Sequence, residues 1–355
     1  MIVDVLIKVK KKLGLFKQAF LDSLQNSIRN YNLSKMPARM RKAGRHAWTE
    51  PLSVPCKKKI KPVYFYGNFN LASFKLGGVY MIEALRRLEI PARSGQQIDP
   101  LRLRDSIIVC VRENFPDNLP ALKANGNKII IDMRDNFFHD WGALNPDFVG
   151  RDIADYLIFP NQALLDKFLS IKPTTSNCVV LYGFADLAIS TFFRQNGYKK
   201  ISQLKCCYFG FKYNLDSGIL QFLKNKYGVE AIPLTEFSFD RCFPALRHHN
   251  MHIDFRPESN DGLYKPLTKI LIAAECRSHI LIKDSPRIRE LLPSDYPFLV
   301  NEKNNAEAAI EKAYHMFGTV EWDFSLGIMD RVREMCSFQN HVTVFVTILE
   351  KLSCD

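Results

Sequence analysis

The 355-residue sequence predicts an α/β protein of two parallel-sheet domains that face each other across a cleft, preceded by a basic helical extension. Three observations carry that expectation. From Pro62 onward, short and continuous apolar runs alternate with helix-length segments, as strands buried on both faces of a parallel sheet should. The first run, Val63-Tyr64-Phe65-Tyr66, ends in Gly67-Asn68 and leads into a helix read from Gly77 to Leu88, the strand-turn-helix opening of a Rossmann-like unit. A second series of the same kind begins near Val179, and the chain closes with helices that have no strand between them.

Residues 1–58 differ from the rest. Ile2, Leu6, Val9, Leu13, Phe16, Phe20 and Leu24 recur at three- and four-residue spacing, while Lys8, Lys10, Lys11, Lys12 and Lys17 crowd the other positions. This predicts a basic amphipathic helix, continued by a polybasic tract that includes Lys57-Lys58-Lys59. Such a segment suits a peripheral membrane anchor, in which apolar area and attraction to anionic headgroups add; a helix packed on its own domain is the alternative.

Residues 59–185 form the first Rossmann-like domain, with further strands at Ser106-Ile107-Ile108-Val109-Cys110-Val111, Lys128-Ile129-Ile130-Ile131-Asp132 and Asp155-Tyr156-Leu157-Ile158-Phe159. Residues 186–335 form the second. Its strands are expected at Lys205 to Gly210, Glu230 to Leu234, Met251 to Phe255 and His279 to Ile282, with helices at Gly218 to Tyr227 and Leu267 to Cys276. Three helices follow, Asn305 to Phe317, Trp322 to Cys336 and Val342 to Leu352, the last within a terminal segment 336–355.

Composition narrows the function classes. Hydrophobic residues make up 47% and charged residues 24%, a globular balance. No apolar run approaches the ~20 residues that span a bilayer, and the lysines after Met1-Ile2-Val3 reverse the order of a secretory signal, so a cytoplasmic location, peripheral on the inner face of the membrane, is expected. Nine scattered cysteines without paired Cys-x-x-Cys spacing point to reduced thiols and to no zinc site. The net charge of +12 calls for an anionic partner, and the absence of any nucleic-acid-binding motif argues against nucleic acid.

Ligands of open α/β sheets bind at the carboxyl ends of the strands, so candidate residues are sought there. After the first strand, Asn68 and Lys75 lie in a run of small and polar residues before a helix N-terminus, which can bind anions or sugar hydroxyls. After the Lys128 strand come Asp132, Arg134, Asp135, His139 and Asp140, the densest polar cluster in the chain; Asp135 or His139 is the candidate general base. An ion pair of Arg134 with Asp132 or Asp135 that only holds the loop is the competing account. In the second domain Gly210 closes one strand and Asp254 another. Lys265 and Lys269 flank the start of a helix where a diphosphate could combine free N–H groups with ammonium charge, Lys265 the better placed by spacing. Ser285 opens the helix after the next strand. His248, His249 and His252 lack supporting carboxylates and are expected to have a structural or surface role.

The stretch Tyr264-Lys265-Pro266-Leu267-Thr268-Lys269 through Ile282, then Ser285-Pro286-Arg287-Ile288-Arg289-Glu290-Leu291-Leu292, resembles the donor-binding half of GT-B glycosyltransferases. Ser73-Phe74-Lys75-Leu76-Gly77-Gly78, Ile130-Ile131-Asp132-Met133-Arg134-Asp135 and the strand ending in Pro160-Asn161 are similar to parts of the acceptor half. The likeness covers roughly residues 62 to 350. The paired glutamates that many retaining members carry with seven residues between them are replaced by Tyr264 and Ile272. The resemblance implies transfer of a sugar from a nucleotide-sugar donor to a hydroxyl of a glycan or lipid-linked acceptor, without metal or other cofactor. Lys265, Lys269, Asp254, Ser285 and Gly210 would serve the donor, and Asn68, Lys75 and Arg134 the acceptor side. A non-catalytic GT-B-like protein that binds a membrane or partner is the alternative.

Overall fold

The structure is a computed structural model that describes residues 52–55, 58–68, 72–95, 99–112, 119–134, 144–148, 150–210, 217–233, 239–255, 264–301 and 305–354. The basic helix expected at the N-terminus lies outside these residues, as do Asp135 and His139.

Two sheets organise the chain. The first contains β1 (Val63–Tyr66), β2 (Ala92–Ser94), β3 (Ile107–Val111), β4 (Lys128–Asp132), β5 (Tyr156–Phe159) and β6 (Asn177–Val180), in the order β2-β1-β3-β4-β5-β6. The second contains β7 (Cys206–Gly210), β8 (Glu230–Pro233), β9 (Met251–Asp254), β10 (His279–Lys283) and β11 (Leu299–Val300), in the order β11-β10-β9-β7-β8. Every pairing is parallel. The apolar runs read in the sequence are the central strands, and β3 and β7 are buried at every residue because helices cover both faces.

Three differences from the sequence reading have physical reasons. The run at Val179 does not open the second series; it pairs with β5 as the edge of the first sheet, Ile158 opposite Val179. β2 and β11 were not expected, because three and two residues are too short to show a pattern. The first helix starts before Gly77: Ala72–Phe74 leads into a π-helical turn, Lys75–Val79, and then Tyr80–Arg87.

The chain crosses between the sheets twice among the described residues. After β6 it passes through residues 181–186 into the Leu187–Asn196 helix, and it returns at Cys336 into the Phe338–Cys354 helix. That helix does not belong to the second sheet. Its apolar face, Phe338, Val342, Phe345, Val346, Leu349 and Leu352, joins the core around Val63, Phe65 and Val109. Phe345 stacks on Phe65 with ring centroids 6.0 Å apart. The final helix thus supplies one wall of the first core.

The eight described cysteines are free thiols, and no described helix is long and apolar enough to cross a membrane.

Leu349 is fully buried in that wall. Leu349→Ala removes three heavy atoms from a packed core and leaves a cavity, an expected loss of about 2–5 kcal/mol. Urea unfolding of the full chain checks it; a loss below ~1 kcal/mol would mean that the helix is not integral to the first core.

Candidate functional site

In each sheet the strand order reverses once, between β1 and β3 in the first and between β7 and β9 in the second. Such a switch point opens a crevice at the carboxyl ends of its two strands. The segments beyond those ends meet. Asn161, two residues past β5, donates from Nδ2 to the carbonyl of Tyr264, 3.0 Å away, and Glu290, just past β10 and the short Pro286–Arg289 helix, accepts from the amides of Gln162 and Ala163. The carboxyl ends of the two sheets therefore face each other.

At the second switch point stand Gly210 and Asp254, the last residues of β7 and β9, with Asp254 buried. Lys269, in the first turn of the Thr268–Glu275 helix, lays its amino group 4.1 Å from the centre of the Tyr208 ring and donates to the carbonyl of Phe209. The stem crosses apolar surface and the ring faces the cation, which holds the ammonium at the end of β7. Gly210 makes room for it. A Cβ there would lie 2.5 Å from Lys269 Nζ, and φ of +154° is a backbone conformation L residues rarely adopt. Lys265 precedes the helix; its carbonyl accepts from Arg287 Nη1 at 2.6 Å. Ser285 caps the Pro286–Arg289 helix with extended backbone, without a side-chain bond to that helix.

At the carboxyl end of the first sheet Arg134 Nε lies 2.7 Å from Asp132 Oδ2, both side chains about nine-tenths buried. The ion pair foreseen as the competing account is thus formed. The π-helical turn passes directly over it: a Cβ on Gly77 would lie 3.0 Å from Arg134 Cζ and 3.1 Å from Asp132 Oδ2. A side chain at Gly77 would have to push the pair aside by a few tenths of an ångström, and insertion of a π turn is how the helix brings Gly77 there without ending. Asn68 follows the turn that ends β1, at the first switch point. Opposite it, Arg112 follows β3 with φ of 63°, an uncommon conformation for a long side chain.

Lys75, in the same π turn, donates to Asp186 Oδ2 at 2.6 Å. Asp186 Oδ1 accepts from the Tyr80 hydroxyl at 2.6 Å and from the amide of Ala188 at 3.0 Å, and so caps the Leu187–Asn196 helix. Beside this group His341, on the final helix, donates from Nδ1 to the carbonyl of Tyr182 at 2.9 Å. Burial, followed by the Arg134 charge, pushes its pKa down to about 4. Asp186, Tyr80 and His341 were not read as site residues. Asp186 had a local signal, an acidic residue before a helix-length run; His341 had none, because its partner is 159 residues away in sequence.

Two predictions follow from these groups. Asp186→Ala leaves the largely buried Lys75 ammonium without its carboxylate, and removing one partner of a buried pair costs about 3–5 kcal/mol. Denaturant unfolding of Asp186→Ala beside Lys75→Met/Asp186→Ala tests it: the double variant should recover part of the loss, and equal losses would deny the coupling. The buried histidines set a pH dependence. Burial holds His252 at about 3 and both His279 and His341 at about 4, against ~6.5 in the unfolded chain. Between pH 6.5 and 4 the unfolded state binds protons that the folded state refuses, so stability falls as pH is lowered through that window, by up to about 1.4 kcal/mol per pH unit for each histidine. Urea midpoints at pH 7, 6 and 5 should decrease in that order, and a flat series would contradict the neutral, buried state of the three rings.

No protein-family model matches the chain, and no curated protein matches it in sequence. Solved structures do. The α,α-trehalose 6-phosphate synthase of Burkholderia multivorans aligns with a TM-score of 0.51 at 11% identity, over 78% of this chain and 74% of that one. A glycosyltransferase from Rickettsia africae aligns with a TM-score of 0.50 at 10% identity, over 82% and 90%. HepE of Anabaena, solved in complex with UDP, aligns at a TM-score of 0.48 and 13% identity, over 83% and 100%. At these identities the likeness concerns the fold. The chain is built on the GT-B fold, two Rossmann-like domains whose strand ends face across a cleft.

Proposed function

We propose that the protein is a glycosyltransferase that moves a sugar from a nucleotide-sugar donor, held mainly by the second domain, to an acceptor hydroxyl presented by the first. The observation that carries this reading is the ammonium of Lys269, held beside Gly210 at the second switch point. A fixed cation at a strand end and helix start suits a diphosphate leaving group, whose charge grows as the bond to the sugar breaks.

In that reaction the acceptor oxygen bonds to the anomeric carbon, and the bond from that carbon to the donor diphosphate breaks with its electron pair. The acceptor proton passes to a base, and Asp135 or His139 is the candidate by sequence. Lys269, with Lys265 beside it, would neutralise the departing diphosphate, with Asp254 and Ser285 lining the donor side. Asn68 and Arg134 would form the acceptor side. Lys75 would act there through Asp186, to which it is bonded. Charge stabilisation by lysines and helix amides would serve in place of a metal ion.

The domain limits fit this division, 59–185 for the acceptor side and 186–335 for the donor side, with 336–355 returning to the first core. The finer assignment rests on charge. The lysine-rich residues 1–58 suit docking at the anionic, cytoplasmic face of a membrane, where a lipid-linked or polysaccharide acceptor of cell-surface glycan synthesis would be presented.

A thermal-shift panel of nucleotide sugars and nucleotides tests the donor site. One nucleotide class at about 100 times its Kd should stabilise the protein by about 2.7 kcal/mol. Lys269→Met, which keeps the stem over Tyr208, should lose that stabilisation while its own melting point stays near wild type. If the whole panel leaves the melting point unmoved while anionic vesicles bind, the transferase reading falls and a membrane-binding scaffold on the same fold replaces it.

A further inference from the structure

The contacts that join the two halves near the donor side form a compact group that neither the fold nor the proposed chemistry requires. Asn161 is fully buried and uses both ends of its amide. Oδ1 accepts from the Leu164 amide at 2.9 Å and caps the Gln162–Ile171 helix of the first half. Nδ2 donates to the carbonyl of Tyr264 at 3.0 Å and lies 3.4 Å from that of Lys265, in the second half. An N–H partner on one side and carbonyls on the other fix the amide's orientation.

Glu290 returns the grip from the opposite side. Its carboxylate oxygens accept from the Gln162 amide at 2.7 Å and the Ala163 amide at 2.9 Å. These are free N–H groups at the positive end of a ten-residue helix, so the contact is charge-assisted and favoured by the helix dipole. Glu290 is also close enough to Tyr182, in the crossing between the halves, to raise the pKa of its phenol. Tyr264 packs against the first-half core that holds Phe159, Leu164 and Phe168. The contacts of Asn161, Glu290 and Tyr264 thus bear on the segment that leads into Lys269 or on the helix that faces it.

The two crossings share one recess. A cavity of about 430 Å³ opens where they meet, lined by Phe184, Leu187, Ser190, Arg333, Ser337 and Phe338 from both crossings and the helices that flank them. The contacts at Asn161 and Glu290 lie away from this recess and add a second point at which the halves are held.

We infer that Asn161 and Glu290 are positioning residues that clasp the two halves and hold the Tyr264–Lys269 segment in its donor-binding geometry, so that donor binding and closure are one equilibrium. The inference rests on the reading of the second half as the donor domain. Apparent affinity scales with the closed fraction, so a variant that closes a tenth of the time binds about tenfold more weakly with every donor contact intact.

Two conservative variants of the full chain test it. Asn161→Asp keeps the cap on Leu164 but cannot donate to Tyr264; Glu290→Gln keeps one acceptor but loses the charge at the helix end. Hydrogen exchange at the Gln162 and Ala163 amides, small-angle scattering and calorimetric titration with UDP-glucose, GDP-mannose and ADP-glucose are measured on each variant and the wild type. We expect faster exchange at both amides in Glu290→Gln. Both variants should show a larger radius of gyration and about tenfold weaker binding of whichever donor the wild type takes; Glu290→Gln should keep a near wild-type melting point, and Asn161→Asp a lower one, because its carboxylate would face two carbonyls. Unchanged scattering and affinity within twofold of wild type, with exchange at the two amides accelerated, would reduce Glu290 to a helix cap and overturn the inference. If the wild type binds none of the three while the variants still open, the donor reading fails and the clasp stands; if the variants also stay closed, both fail.

Discussion

The carboxylate of Asp186 is the interaction on which the geometry of the first half and its junction with the second depend. It accepts from Lys75, Tyr80 and the Ala188 amide, so one group ties the π turn, the helix behind it and the start of the second half's first helix. A buried carboxylate is tolerable only when opposite charge and further donors compensate for lost water, and both are present. The arrangement also sets the path of residues 181–186. The crossing must end with Asp186 beneath Tyr80, and that fixes where the Leu187–Asn196 helix begins.

The π turn gains its meaning from the same contact. A regular α-helix through Lys75–Val79 would rotate the following residues by roughly one position. With the extra residue, Lys75 reaches Asp186 while Gly77 lies flat on the Asp132–Arg134 pair. Two ion pairs in one layer, joined by a helix segment without side chain at the point of approach, form a stiff floor under the first switch point. In the second half the corresponding role falls to Lys269 and Gly210, where a ring face and a carbonyl hold the cation.

Much of the fold was legible in the sequence, because a strand buried on both faces must be apolar throughout, and runs such as Ile107–Val111 and Cys206–Gly210 have few other readings. What was not legible depends on contacts remote in sequence. The Val179 run looks the same whether it opens one sheet or closes the other; only its pairing with β5 decides. The final helix reads as apolar on one face, but nothing local says that the face belongs to a core built some 280 residues earlier. Within the candidate site, Gly210, Asp254 and Lys269 could be singled out from sequence because strand ends and helix starts are local features. His341, and the bonds that Asp186 makes to Lys75 and Tyr80, were not, since those partners are more than a hundred residues apart.

The return of the final helix links stability to the site. His341 on that helix bonds the Tyr182 carbonyl, while the Tyr182 phenol lies within the electrostatic reach of Glu290 in the second half. Burial, with the Glu290 carboxylate adding to it, pushes the Tyr182 phenol up to about 12, so it stays a donor across the physiological range. A chain of contacts therefore runs from the wall of the first core, through Tyr182 in the crossing, to the carboxylate that caps the Gln162–Ile171 helix. Fraying of the final helix would free the Tyr182 carbonyl, and loss of Glu290 would remove the charge beside its phenol. The two halves are separate in their sheets and joined in their energetics, because the residues that complete the first core also hold the crossing to the second.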